Sequence, residues 1–168
     1  MFEMPLAIYL LVLIELIVVS FLDLKTRKIS NKWSLLNLVL FLIFVFLLKD
    51  IYALSWETVF YSLSFFVVGF ILFAMKIMGG GDAKLLASLY LLIPARVQEE
   101  SFMLLIYSTI LIGGGILSYK IWIQREQLKL AFFTQDYSKF RIILGKKFPF
   151  SPVILLAWIA WGISHFLI

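Results

Sequence analysis

Long apolar stretches alternate with short polar segments along the whole chain. Six apolar stretches cover residues 5–22, 33–48, 56–75, 83–93, 102–123 and 150–168. At a rise of about 1.5 Å per residue, all but the fourth give helices of about 24–33 Å, close to the roughly 30 Å thickness of a bilayer's hydrocarbon core. The pattern therefore predicts an all-α bundle of about six transmembrane helices.

The composition supports a membrane protein with a single domain. Hydrophobic residues make up 63% of the 168 residues, and the mean hydropathy is +1.04. No Pro/Ser-rich linker divides the chain, so we expect one transmembrane domain over residues 1–168. The first apolar stretch lacks a basic segment before it and a small-residue cleavage site after it, so we expect it to remain as a membrane span. With no cysteine, the chain has no disulfide, no thiolate nucleophile and no Cys-based metal site.

The net charge is +5, and the positions of the positive residues indicate the orientation of the chain in the membrane. The segments that follow the first, third and fifth stretches carry four, two and seven of the 15 Lys and Arg residues, and the other side carries two. Positive residues concentrate on the cytoplasmic side of membrane proteins. We therefore expect these segments to be cytoplasmic and both termini to lie outside. This distribution also argues against nucleic-acid binding.

The fourth stretch is short and begins at a glycine run that ends in an acid, Gly79-Gly80-Gly81-Asp82. Residues 83–93 would give only about 16 Å of helix. Either the glycine segment lies within the membrane boundary, or the helix begins earlier and includes it. Irregular backbone at membrane depth is tolerated only where it is buried in protein or lines a wet cavity, so we expect the glycines to shape such a cavity and Asp82 to face it.

A second acid, Asp23, follows the first stretch and is predicted to lie on the same membrane face as Asp82. Two carboxylates held close together cannot both ionise cheaply, and they can therefore share a proton. One then acts as a general base on a water molecule while the other, protonated, polarises a peptide carbonyl. Taken singly, Asp82 could be a helix N-cap and Asp23 the solvated end of a helix. Each is followed two residues later by a lysine, Lys25 or Lys84, which either tunes the pair or contacts lipid phosphates.

These two motifs resemble those of the type IV prepilin peptidases, which are membrane aspartyl proteases of the GxGD kind. Gly79 to Asp82 fits the tetrapeptide, and residues 83–87 resemble its usual continuation. Residues 23–31, DLKTRKISN, resemble the family's first motif, an Asp followed by basic residues and Ile-Pro-Asn, with Ser30 in the proline position. The segment 148–152, FPFSP, resembles the one that opens the last helix in these enzymes.

The resemblance implies an aspartic endopeptidase that removes the leader of a prepilin-like substrate at the cytoplasmic membrane face. It implies Asp23 and Asp82 as the catalytic pair, with a site shaped by six further residues: Gly79, Gly80, Gly81, Lys25, Lys84 and Asn31. The absence of cysteine matches the short, peptidase-only form, and an archaeal preflagellin is the alternative client. No cofactor is expected. The partners expected are the substrate and the lipid bilayer.

Other residues leave further interpretations open. Glu15, inside the first stretch, is either a functional acid or a group that faces the bundle interior. A small proton-coupled transporter that uses Asp23, Asp82 and Glu15 as a relay is therefore the rival hypothesis. The basic and aromatic segment 120–147 is expected to lie on anionic lipid, and residues 113–115, three glycines, are expected to allow close helix packing. His165, the only histidine, has no second ligand nearby, so we expect no metal site.

Overall fold

A computed structural model of the chain describes residues 4–52, 54–75, 78–126 and 150–166, and every regular element within these ranges is helical. The six helices are α1 (Leu6–Thr26), α2 (Asn31–Leu47), α3 (Trp56–Ala74), α4 (Gly80–Leu92), α5 (Ala95–Ile123) and α6 (Ser151–Phe166). By length and composition, α1, α3 and α5 can cross a membrane, and α2 and α6 are shorter apolar helices. The predicted all-α membrane fold is confirmed.

Serine side chains cap the N-termini of α2 and α3. Ser30 precedes α2, and its Oγ accepts a hydrogen bond from the Lys32 backbone N–H at 3.3 Å. Ser55 precedes α3 and accepts in the same way from Thr58 at 3.4 Å. Such N-caps satisfy donors that have no partner inside the helix. The serine at the proline position of the first motif thus has a local role in starting α2.

Two predicted boundaries are wrong. Helix α1 continues to Thr26, so Asp23 lies in its last turn and the polar loop begins later; Arg27, in the left-handed conformation with φ of 52°, ends the helix. The polar residues between the fourth and fifth apolar stretches, among them Arg96, Glu99 and Glu100, lie inside α5, which begins directly after Pro94. Arg and Glu are good helix formers, and proline is tolerated where a helix starts, so the polar residues extend the helix.

The helices pack in two groups. In the first group, α6 contacts α1 and α5. In the second group, α4 contacts α2 and α3. The contacts between the two groups include those of α3 with α5. Glycines allow the closest approaches: a Cβ at Gly69 of α3 would lie 2.5 Å from the Ala83 Cβ of α4, and one at Gly162 of α6 would overlap the Tyr9 ring of α1. Asp23 belongs to the first group and Asp82 to the second.

The two ends of the bundle are distinguished by their contacts. At one end, the segment after α1 touches the start of α4, where a Cβ at Gly81 would lie 3.0 Å from the Ile29 Cβ. At the other end, buried Gln98 places its Nε2 at 2.8–3.1 Å from three carbonyl oxygens, those of Thr58, Tyr90 and Ile93. Both candidate acids therefore lie at the first end, and Gln98 joins the helix groups at the far end.

Two expectations concern regions with few described neighbours. Most of segment 120–147 lies outside the described residues; within its described part, the Arg125 guanidinium lies 5.8 Å from the centre of the Trp122 ring. For the glycines at 113–115, the expected close helix packing is wrong within the described residues: apart from the adjoining part of α5, none has an atom within 4 Å of a Cβ built at these positions.

Candidate active site

Asp23 is held in the interior by the last helix. Its side chain is 5% exposed, and the Ser151 Oγ donates a hydrogen bond to its Oδ2 at 2.5 Å. Ser151 is the first residue of α6 and is itself fully buried. A buried carboxyl group needs hydrogen-bond partners to offset the loss of water. The contact therefore fixes the end of α1 against the beginning of α6.

Asp82 is the third residue of α4, and Gly79, not Asp82, is the N-cap of this helix. The Asp82 Oδ1 is shielded from solvent. Its Oδ2 lies over the N-cap, because a Cβ built on Gly79 would be only 2.5 Å from it. A carboxylate at this position of a helix is favoured by the helix dipole and reaches back towards the N-cap. Gly79 therefore leaves the space that the Asp82 carboxyl group occupies.

Each of the other two glycines in the run has its own close neighbour. A Cβ at Gly80 would lie 3.3 Å from the Phe73 ring at the end of α3, and one at Gly81 would lie 3.1 Å from the Ile29 carbonyl oxygen as well as close to its Cβ. None of the described glycines has a positive φ. Close approach of neighbouring groups, rather than a left-handed backbone, explains the run.

A cavity of about 500 Å³ opens beside Asp82. Its wall is almost entirely apolar and comes from α3, α4, α5, the segment between α3 and α4, and the residue before α6. Besides Asp82, these side chains line it: Phe65, Val68, Leu72, Met78, Leu86, Phe102, Leu105, Ile106, Thr109, Ile110 and Phe150. Asp82 is the one ionisable group among them. The cavity therefore presents a single acid to an apolar guest.

The start of α6 connects the two acids. Phe150 lines the cavity beside Asp82, and the next residue, Ser151, is hydrogen-bonded to Asp23. The segment after α1 also reaches α4 through the contact between Ile29 and Gly81. The structure thus brings the two aspartates to one end of the bundle, on either side of the first residues of α6.

The lysines and Asn31 occupy the periphery of this end. The Lys84 Nζ donates to the Asn31 Oδ1 at 3.3 Å, which links the start of α2 to α4. Lys25 is exposed, in contrast to Asp23. Residues two apart point to different sides of a helix. Neither lysine therefore shares the side of its helix that carries the aspartate.

Some residues at the site were not singled out from the sequence. Ser151 lies 128 positions from Asp23, and no spacing rule connects them; the resemblance of residues 148–152 to the start of the last helix was the available signal. Phe148 and Pro149 of that segment lie outside the described residues. His165 is on α6 and stacks on Trp161 with ring centres 4.6 Å apart. No cluster of three or more potential metal ligands occurs in the part of the chain that the structure describes.

These features define a helical membrane protein with two acids at one end of the bundle and an apolar cavity beside one of them. Residues 10–118 match the type IV leader peptidase family, and the chain belongs to it. It is accordingly an aspartic-type endopeptidase of the prepilin peptidase kind. The matched region includes both aspartates and ends before α6. Searches among curated proteins and among solved structures gave no match.

Proposed function

We propose that this chain cuts the leader from a prepilin-like substrate at the cytoplasmic membrane face, with Asp23 and Asp82 as the catalytic pair. The observation that carries the proposal is the position of both acids near the start of α6: Asp23 accepts a hydrogen bond from Ser151, and Asp82 lines a cavity that Phe150, the residue before α6, also lines. The family assignment supports hydrolysis over the rival hypothesis of a proton-coupled transporter.

The chemistry follows from two carboxyl groups that hold one proton. The ionised member takes a proton from a water molecule, whose oxygen attacks the peptide carbonyl carbon. The protonated member donates a hydrogen bond to the carbonyl oxygen and stabilises the charge that develops there. The C–N bond then breaks as the leaving amine takes up a proton. Neither a metal ion nor a covalent intermediate is needed in this scheme.

The cavity suits a substrate with an apolar helix next to the bond that is cut. Aromatic and aliphatic side chains of α3 and α5 line it, and Asp82 is part of its wall. An apolar segment in this cavity would place the adjoining peptide bond beside Asp82. A prepilin-like substrate has this form, because a short basic leader precedes its apolar helix. Its leader would remain on the side of the bilayer where the carboxyl groups lie.

The charge distribution supports the cytoplasmic side for this reaction. Four basic residues follow Asp23 in the sequence, from the last turn of α1 to the first turn of α2: Lys25, Arg27, Lys28 and Lys32. By the positive-inside tendency, this end of the bundle faces the cytoplasm and both termini lie outside. We assign Gly79, Gly80 and Gly81 to shaping the site, and the Lys84–Asn31 bond to holding α2 against α4. We assign Lys25, which is exposed, to contact with lipid headgroups.

The test is co-expression with a tagged prepilin-like substrate. Wild-type protein should remove the leader, and Asp23→Asn and Asp82→Asn should each abolish removal without loss of protein from the membrane. Sidedness is measured separately with single cysteines, since the natural chain has none. Leu24→Cys and Lys84→Cys, both at exposed positions, should react with an impermeant maleimide from the cytoplasmic side only. Normal processing by either Asn variant, or labelling from opposite sides, would contradict the proposal.

A further inference from the structure

Glu15 is a buried acid in the middle of α1 that the proposed reaction does not use. Its side chain is 5% exposed, and its carboxyl group faces the side chain of Asn37 on α2. Asn37 is fully buried, and its Nδ2 donates to the Oγ of Ser88 on α4 at 3.3 Å. Three side chains from three helices therefore form one buried polar cluster.

Three buried oxygens of this cluster have no hydrogen-bond donor in the described part of the chain. The Ser88 hydroxyl donates to the Leu85 carbonyl oxygen at 3.1 Å, so it is an acceptor towards Asn37. The Asn37 Oδ1 and both oxygens of Glu15 are buried, and none accepts a hydrogen bond from the described residues. An ionised carboxylate can only accept. A proton on Glu15 would supply a donor for the Asn37 Oδ1.

The cluster lies at one level beneath the two aspartates. Glu15 precedes Asp23 by eight residues on α1, and Ser88 follows Asp82 by six on α4, which correspond to about 12 Å and about 9 Å along the helices. Asn37 follows Asn31 by six residues on α2. Since α1 packs on α6 whereas α2 and α4 pack together, this cluster connects the two helix groups that carry the aspartates.

We propose that Glu15 is a positioning residue that, in its neutral form, donates to Asn37 and so fixes the separation of Asp23 and Asp82. This inference rests on the proposed function for its kinetic consequence. A neutral carboxyl group can join a buried network without the cost of burying a charge. Movement of α1 relative to α4 would change the distance between the two aspartates, whose chemistry depends on their sharing a proton.

The first test is spectroscopic and does not depend on activity. The infrared spectrum of the purified, membrane-reconstituted protein near neutral pH should contain a carbonyl stretch of a protonated carboxylic acid that disappears in Glu15→Gln. Asn37→Leu should shift this band to the frequency of a carboxyl group that has lost its hydrogen-bond acceptor. Absence of the band from the wild-type protein, or a band that Asn37→Leu leaves in place, would overturn the proposal.

The second test separates positioning from folding by the kinetics of leader removal. Glu15→Gln retains a neutral donor, and its kcat should stay within about twofold of wild type. Glu15→Leu should lower kcat about 10- to 100-fold with KM unchanged, since displacements of about 1 Å can cost that much. A Glu15→Leu protein with normal kcat, or a Glu15→Gln protein as impaired as Glu15→Leu, would contradict the role.

Ser62→Ala is the matched control. It removes a buried hydrogen bond of 2.6 Å from Ser62 to the Ala87 carbonyl oxygen, within one helix group rather than between the two, and should leave kcat unchanged. If the Glu15→Leu protein does not accumulate, the proposal is judged by the kcat of Glu15→Gln relative to wild type and by the infrared band. If wild-type protein cuts no prepilin-like substrate, the proposed function fails, and the infrared result still judges the Glu15–Asn37 bond on its own.

Discussion

Replacement of Gly79 by alanine should impair catalysis far more than it impairs folding. The new Cβ would lie 2.5 Å from the Asp82 Oδ2, and ordinary contacts begin at 3.4 Å. The carboxyl group would therefore have to move by about 0.9 Å, the difference between these two distances. Asp82 can do so by rotating its side chain, since the atom in conflict is at its end. The backbone of Gly79, with φ of −73° and ψ of 141°, is one that alanine adopts without strain.

The magnitude follows from this displacement. Misplacement of a catalytic group by about 1 Å can cost about 100-fold in rate, so we expect Gly79→Ala to lower kcat by about 10- to 100-fold. Exchange of glycine for alanine at an N-cap should cost only about 0.5–1 kcal/mol of stability. The assay is the initial rate of leader removal per folded molecule in detergent, with the melting temperature recorded in parallel.

Gly114→Ala provides the matched control, because, apart from the adjoining part of α5, no atom of the described residues lies within 4 Å of a Cβ at Gly114. This variant should process substrate at the wild-type rate. The reasoning is refuted if Gly79→Ala has wild-type kcat, or if its activity falls only in proportion to the amount of folded protein. Gly79 leaves the space in which the Asp82 carboxyl group lies. Either result would mean that this position of the carboxyl group does not matter for the reaction.

Two further variants test the contacts around the pair. Ser151→Ala removes the 2.5 Å hydrogen bond to Asp23 and should lower kcat about tenfold, which corresponds to a loss of about 1.5 kcal/mol in the transition state. Ser151→Thr keeps the hydroxyl, and the hydroxyl removed in Ser164→Ala bonds within α6, so both variants should remain active. Equal rates for all three variants would show that the Ser151 hydroxyl does not support Asp23. Gly69→Ala should lower the melting temperature, because its new Cβ would clash with Ala83 at a cost of about 1–3 kcal/mol. The double variant Gly69→Ala/Ala83→Gly should restore the melting temperature. A double variant no more stable than the single one would show that the clash lies elsewhere.

The fold was predictable to the extent that apolar length determines it. The apolar stretches gave all six helices, because a bilayer demands long apolar runs with internally satisfied backbones. The errors fell at polar helix ends, where charged residues can extend a helix as readily as form a loop. Residues 95–101 form the first turns of α5, although their polar side chains separate them from the fifth apolar stretch in the sequence. Hydropathy cannot separate these cases, since the choice depends on local capping.

The candidate site was predictable only in part, because it is defined both by a local sequence motif and by contacts between residues that are far apart in the sequence. The glycine run indicated a cavity next to Asp82, and the structure assigns a particular neighbour to each glycine: Asp82, Phe73 and Ile29. The hydrogen bond from Ser151 and the link from Asn37 to Ser88 join residues that are distant in sequence and have common side chains. Such pairs depend on how helices pack, and one sequence carries no pattern that specifies them.

The most direct measurement of the central claim is hydrolysis by the purified protein alone. Wild-type protein in lipid vesicles would be mixed with a synthetic prepilin-like peptide, and the products would be weighed by mass spectrometry. The account predicts a single cut between the basic leader and the apolar helix, together with an uncut peptide for Asp23→Asn and for Asp82→Asn. Product formation at the wild-type rate by either variant would contradict the account.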